Sequence, residues 1–213
     1  MDKLETYYDF LVSENKKYNL TAITDKEEVY IKHFEDSLSV DRIIDLNNIN
    51  SICDVGSGAG FPGVVIKIKY PHLKLTIIEP TAKRCNFLSQ LVLKLGLKDV
   101  IIINGRAEDM KNLRSSFDLV VARAVSSLPI LLELCIPLVK VKGYFVALKG
   151  SNYSTEVEQS KRALKLLDSS IDECYEYELS NNYGTHSLIK IYKKMETNII
   201  YPRLYKDIKS KPL

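Results

Sequence analysis

Between Ser51 and Gly63 the chain reads Ser-Ile-Cys-Asp-Val-Gly-Ser-Gly-Ala-Gly-Phe-Pro-Gly, and this stretch limits the possible folds more than any other. Ile52 to Val55 reads as a short buried strand, the glycines as a tight turn, and Pro62 as the first position of a helix. Proline suits that position because a first-turn N–H has no intrahelical partner. Gly56, Gly58 and Gly60 would let a ligand approach the backbone where a Cβ would block it. The stretch reads as a nucleotide-type binding loop and leaves open which nucleotide it takes.

Strands and helices alternate around this loop. Leu4, Tyr7, Tyr8 and Leu11 recur at helical spacing, which predicts a first amphipathic helix over 2–18. Thr24 and Glu27 form a capping-box pattern for a second helix with Tyr30, Phe34 and Leu38 on one face. Strands are predicted over 52–55, 74–79, 100–103, 117–122 and 144–148, with intervening helices from Pro62, over 82–95, near Glu108 and over 128–140. Near-continuous apolar strands in such alternation indicate a parallel sheet with helices on both faces. After Gly150 a Thr155…Glu158 box predicts a further helix. Strands over 171–178 and 187–192 then flank Ser180-Asn181-Asn182-Tyr183-Gly184, a turn-rich joint expected to close an antiparallel hairpin. A parallel α/β sheet finished by a hairpin is the plan of class I methyltransferases. The expected organisation is one compact domain: a helical cap over 1–50, a core over 51–193 and a basic tail over 194–213.

A chain of 213 residues with 46% hydrophobic and 27% charged residues has enough apolar material for one full core. The charged opening and the short apolar runs predict neither a signal peptide nor a membrane span. Cys53, Cys85, Cys135 and Cys174 lack metal or redox spacing and read as reduced thiols of a cytoplasmic protein. The scattered His33, His72 and His186 argue against a metal site. Net charge is +3, but residues 193–213 carry +4 and the preceding 192 carry −1. A basic end on a nearly neutral body suggests contact with nucleic acid or the ribosome, although a solvated terminus explains the charge alone equally well.

Two ligand readings compete for the loop. Gly58-Ala59-Gly60-Phe61-Pro62-Gly63 satisfies the dinucleotide pattern G-x-G-x-x-G, with Glu79 about twenty residues on as a ribose acceptor. Asp54-Val55-Gly56-Ser57-Gly58-Ala59-Gly60 instead suits S-adenosylmethionine, which brings no pyrophosphate to a helix N-terminus. The loop together with Glu79, the Gly105–Glu108 turn and the terminal hairpin favours S-adenosylmethionine. Ligands of open parallel sheets lie across the carboxyl ends of the strands, and the residues there are Gly56, Glu79, Gly105 to Glu108, Arg123 and Lys149. Glu79 would accept from the ribose hydroxyls, and Ala107 and Glu108 would flank the adenine. A charge at Arg123, directly after an apolar strand, must face a cleft or an ordinary ion pair.

Several stretches together resemble the glucose-inhibited division protein B family, the small-subunit ribosomal RNA methyltransferases G. They are Asn19-Leu20-Thr21-Ala22-Ile23, His33-Phe34-Glu35-Asp36-Ser37-Leu38, the glycine loop through Gly63, Lys83-Arg84 with Phe87-Leu88, Arg123-Ala124, Ala147-Leu148-Lys149-Gly150, and Tyr201-Pro202-Arg203 with Lys211-Pro212-Leu213. The resemblance spans nearly the whole chain in order. It implies methyl transfer from S-adenosylmethionine to N7 of a guanine in 16S ribosomal RNA, with Gly56, Phe61, Ala107, Glu108 and Arg123 as cofactor contacts.

The residues accord with that chemistry. Guanine N7 has an in-plane lone pair and no proton, so no general base is needed. No Pro-Pro-aromatic motif for an exocyclic amine and no Pro-Cys nucleophile is present. An Arg bound to both O6 and N7 would block the nucleophile, so Arg123 or Lys149 is expected to donate to O6 alone, on a base that is unpaired or extruded. Lys16, Lys17, Lys83, Arg84, Arg203 and the terminal lysines are the candidate RNA contacts on a monomer. The rival readings are an NAD(P)-dependent oxidoreductase, for which too little chain follows residue 150, and a noncatalytic RNA-binding module.

Overall fold

In a computed structural model describing residues 2–213, the strand of the glycine stretch is β1 (Ser51–Val55), in the interior of one sheet. The other strands are β2 (Lys74–Glu79), β3 (Val100–Asn104), β4 (Phe117–Arg123), β5 (Val139–Gly150), β6 (Ser169–Glu178) and β7 (Thr185–Lys193), in the order β3-β2-β1-β4-β5-β7-β6. The pairs from β3 through β5 are parallel, and β7 runs antiparallel between β5 and β6. Strand order reverses between β1 and β4, which places a crevice beyond their carboxyl ends. Gly56 follows β1 there, and Arg123 ends β4 opposite Leu148 of β5.

Helices cover both faces, which is why the central strands are apolar on both sides. Ile52, Leu119, Val121 and Val146 pack against Tyr7, Leu11, Phe34, Val64 and Phe87 on one face. On the other face Cys53, Val120, Phe145 and Ala147 meet Leu128, Leu131, Cys135 and Ile208. Each fully buried Leu or Phe contributes about 1.5–3 kcal/mol by leaving water.

Helix Lys3–Tyr18 is capped by Asp2, whose side chain accepts from Leu4 N at 2.9 Å, and it stops at Asn19 in the left-handed region. The second helix starts one residue later than the Thr24 box predicts. Asp25, an equally good cap, accepts from Glu28 N at 3.0 Å. It continues over 26–38 but widens into a π segment at Tyr30–Glu35, within which the Lys32 carbonyl accepts from Arg123 Nη1 at 3.1 Å.

Further boundaries differ from expectation. Pro62 precedes helix Gly63–Lys69 as its cap residue, because Asp54 Oδ2 accepts from Gly63 N at 2.8 Å and so terminates the helix there. Helix Leu128–Cys135 ends before Pro137, which has no N–H to continue it. The released chain begins β5 at Val139, so this strand is longer than predicted. The Thr155 box does not form: the helix starts at Tyr153 and breaks at Ser160 into Tyr153–Gln159 and Lys161–Leu166.

After β7 the chain docks rather than trails. Arg114 donates to the carbonyls of Thr197 (2.5 Å) and Tyr201, and helix Tyr205–Ser210 buries Ile208. Arg203 forks the fully buried carboxylate of Glu133, with Nε to Oε1 at 2.8 Å and Nη2 to Oε2 at 2.6 Å. No described helix is long and apolar enough to cross a membrane.

Candidate active site

Asp54 organises the glycine loop. Its Oδ2 accepts from Ser57 Oγ at 2.6 Å as well as from Gly63 N, while Oδ1, equally buried, has no partner. Burial pushes this carboxyl up to about 6, against hydrogen bonds from Ser57 and Gly63 that lower it. The loop glycines have separate tasks. Gly60, at φ +106°, turns inward, where a Cβ would meet the Tyr7 hydroxyl and Val64 at 3.0 Å. Tyr7 donates to the Ala59 carbonyl at 2.5 Å and stacks on Phe61, so the first helix is fastened to the loop. Phe61 is buried, stacked on His33 at 4.5 Å. Gly58 has open space around its Cα, and its N–H donates to Glu79 Oε2 at 3.0 Å.

Two cavities open at the carboxyl edge of the sheet. The first, of about 230 Å³, brings together Gly56, Glu79, Ala107 and Glu108, with Val125 and Tyr205 at its sides. A Cβ on Gly56 would lie 2.6 Å from the Val125 side chain, so the chain after β4 crosses directly over the loop. Glu79 accepts one backbone N–H on each oxygen, Gly58 on Oε2 and Thr81 on Oε1 (2.9 Å), which leaves a second lone pair on each for a diol. Glu108 Oε1 is buried with no hydrogen-bond partner, and burial raises its carboxyl. Its nearest cation, Arg106, stands at 3.8 Å, and a buried acceptor without a hydrogen bond costs free energy that a bound donor relieves. These groups fit S-adenosylmethionine: ribose hydroxyls at Glu79, an exocyclic amine at Glu108, and close backbone approach at Gly56.

The second cavity, of about 470 Å³, is lined by His33, Asp36, Arg123, Lys149, Glu156 and His186, and Ala124 lines both cavities. Asp36 is its anchor. Oδ1 accepts from Tyr177 OH and from His186 Nδ1, each at 2.7 Å, and Oδ2 pairs with Arg123 Nη1 at 2.8 Å. Burial raises this carboxyl, but His186, Arg123 and Tyr177 together hold it below its ordinary value. Arg123 also lies 3.3 Å from His33 Nδ1, and its guanidinium sits 5.0 Å over the Phe61 ring. Lys149 Nζ donates to the Ser126 carbonyl at 2.8 Å and pairs with Glu156 at 2.7 Å.

The model for the family described as GidB, rRNA small subunit methyltransferase G, matches residues 1–180. The chain is 46% identical over 206 residues to Ribosomal RNA small subunit methyltransferase G of Bacillus cytotoxicus, covering 95% of this chain and 86% of that one. The protein of the same name from Bacillus thuringiensis is 45% identical over the same shares. The chain belongs to the rRNA small subunit methyltransferase G family. Solved structures share its fold at low identity. They include M. jannaschii TYW2 in complex with AdoMet (TM-score 0.60, 18% identity, 76% of each chain) and an O-methyltransferase from Klebsiella pneumoniae described as putative (TM-score 0.61, 10% identity, 89% of this chain and 90% of that one).

In this member of the family, the residues expected at the cofactor divide between places. Gly56, Glu79, Ala107 and Glu108 share the first cavity, Arg123 lines the second beside Lys149, the expected donor to the base, and Gly58, Gly60 and the buried Phe61 line neither. Among the expected RNA contacts, Lys83 is exposed and Arg84 lies 3.8 Å from Glu79 at the rim of the first cavity. Arg203 instead directs its donors at Glu133 and the Lys211 carbonyl. Motifs alone assign no site role to Asp36, His186, Glu156 or Tyr7. His33 and Asp36 do lie in one of the stretches that resemble the family, which is the signal that could have found them.

Proposed function

We propose that this chain transfers a methyl group from S-adenosylmethionine to N7 of a guanine in the 16S RNA of the small ribosomal subunit. The observation that carries the reading is the pair of cavities sharing Ala124 at the carboxyl edge, in a chain of this family. The cofactor supplies a methyl group activated on a sulfonium. Gly56, Glu79, Ala107 and Glu108 would hold it in the first cavity.

The second cavity would take the base. Guanine N7 has no proton to lose, so no side chain must act as a base, and the residues serve to hold the base and leave N7 free. Arg123 has Asp36, the Lys32 carbonyl and His33 as neighbours, and these fix its guanidinium as part of the wall. Lys149 is the better-placed donor to O6. Holding two reactants in register supplies roughly 7–11 kcal/mol of barrier lowering in the best-oriented cases.

The test is transfer of labelled methyl from S-adenosylmethionine to 16S RNA offered naked, in small subunits and in precursors, followed by mapping of the modified base. One guanine carrying the label at N7 is the expected result. Calorimetry giving NAD binding and no S-adenosylmethionine binding, with no transfer, would return the loop to the oxidoreductase reading.

A further inference from the structure

We infer that Lys149 and Glu156 together read the Watson–Crick edge of the target base, with Glu156 as the residue that selects guanine. The inference rests on the guanine methylation proposed above and assigns the recognition within that site.

Lys149 at the end of β5 and Glu156 in helix Tyr153–Gln159 meet at 2.7 Å on the wall of the second cavity. Glu156 Oε2 accepts from Leu128 N (2.5 Å) and is ion-paired with Lys149, while Oε1 makes no hydrogen bond among the described residues. Lys149 spends one of its three ammonium protons on the Ser126 carbonyl and stands in an ion pair with Glu156, which leaves a donor for a base. The pair is therefore a cation donor beside an anion acceptor, each with capacity left, and neither is strongly exposed: 9% for the Lys149 side chain and 25% for Glu156.

Guanine presents the complementary pattern on neighbouring atoms, O6 as acceptor and N1–H with the 2-amino group as donors. Adenine reverses the first two, so its 6-amino group would face the ammonium and its N1 lone pair the carboxylate. The cavity's other carboxylate, Asp36, serves less well, because Tyr177 and His186 fill Oδ1, the Arg123 cation is paired with Oδ2, and the side chain is only 2% exposed. Reading from the Watson–Crick side also leaves the N7 side of the base uncovered, as the proposed chemistry requires. A hydrogen bond to a charged group, made only by the right base, gives discrimination of about tenfold or more.

The experiment uses the whole enzyme on RNA in which the mapped target guanine is retained or replaced by inosine or adenosine. Inosine lacks only the 2-amino donor. Wild type should methylate guanine at least about tenfold better than inosine by kcat/KM, and adenosine not measurably. Glu156→Gln should lose activity on guanine and bring the guanine-to-inosine ratio towards one, with S-adenosylmethionine affinity unchanged by calorimetry. Glutamine retains an oxygen for Leu128 N, and the ratio of two substrates on one preparation is insensitive to loss of folded enzyme. A variant that keeps the wild-type ratio, or a wild type that accepts inosine as readily as guanine, overturns the inference. No transfer to guanine by wild type would instead overturn the function on which it rests.

Discussion

His33 sits where protonation is penalised from several sides. Burial and the Arg123 guanidinium push its imidazole down to about 4, against Asp36 and the Lys32 carbonyl, which favour the cation. The unfolded side chain titrates near 6.5. Between about 4 and 6.5 the unfolded chain therefore binds the extra proton, and stability falls with falling pH; the contribution is intact above that window. Asp54 acts oppositely, since its raised carboxyl holds a proton in the native state from about 6 downward. The difference between wild type and His33→Gln isolates the histidine. Urea titrations from pH 7.5 to 4.5 should show wild type losing stability, relative to this variant, as pH drops below 6.5. A pH-independent difference would mean that His33 titrates alike in the folded and unfolded chain and is not held neutral by its surroundings.

At the scale of elements, the segment after β7 carries the clearest energetic claim. Glu133 is fully buried in helix Leu128–Cys135, and Arg203 is its only ion-pair partner among the described residues. Arg203→Ala strands that carboxylate, a loss of about 3–5 kcal/mol. Tyr205, two residues on, lines the first cavity under the Arg106 guanidinium at 4.9 Å, so undocking should also weaken S-adenosylmethionine binding. The double variant Glu133→Leu with Arg203→Leu should recover most of the melting temperature, which thermal denaturation of all three proteins checks. Composition makes this segment look like a charged tail, because it reports how much charge is present and not where a guanidinium points. The strands are legible for the opposite reason: burial on both faces forces apolar runs, and a glycine turn follows β1 visibly. Gly56, Glu79, Ala107 and Glu108 are legible because each lies at or just past the end of a strand in a parallel sheet, and the carboxyl ends meet. The contacts of Asp36 with His186, 150 residues away, and of Lys149 with Glu156 follow no periodicity. The π segment that points Lys32 and His33 towards Arg123 has no sequence signature of its own.

Over the whole molecule, charge is arranged by face. The edge strand β6 exposes Asp172, Glu176 and Glu178, which deters edge pairing and disfavours a polyanion on that side. Near the first cavity the surface is basic. The first helix ends in Lys16 and Lys17, Tyr18 accepts from Asn86 at 3.1 Å, and helix Ala82–Lys94 carries Lys83 and Arg84 at its start. Lys83 is exposed at the positive end of a helix dipole, where it opposes local stability, so an external anion accounts for it better than the fold does. If Lys16 and Lys83 bind RNA phosphates, replacing both with alanine should flatten the slope of log affinity against log salt by about 0.7–0.9 for each phosphate left without its lysine. Their side chains do not line the first cavity, so S-adenosylmethionine affinity should stay at the wild-type value. Filter binding to 16S RNA across a salt series measures the slope, and an unchanged slope in the double variant would move the RNA to another face of the sheet.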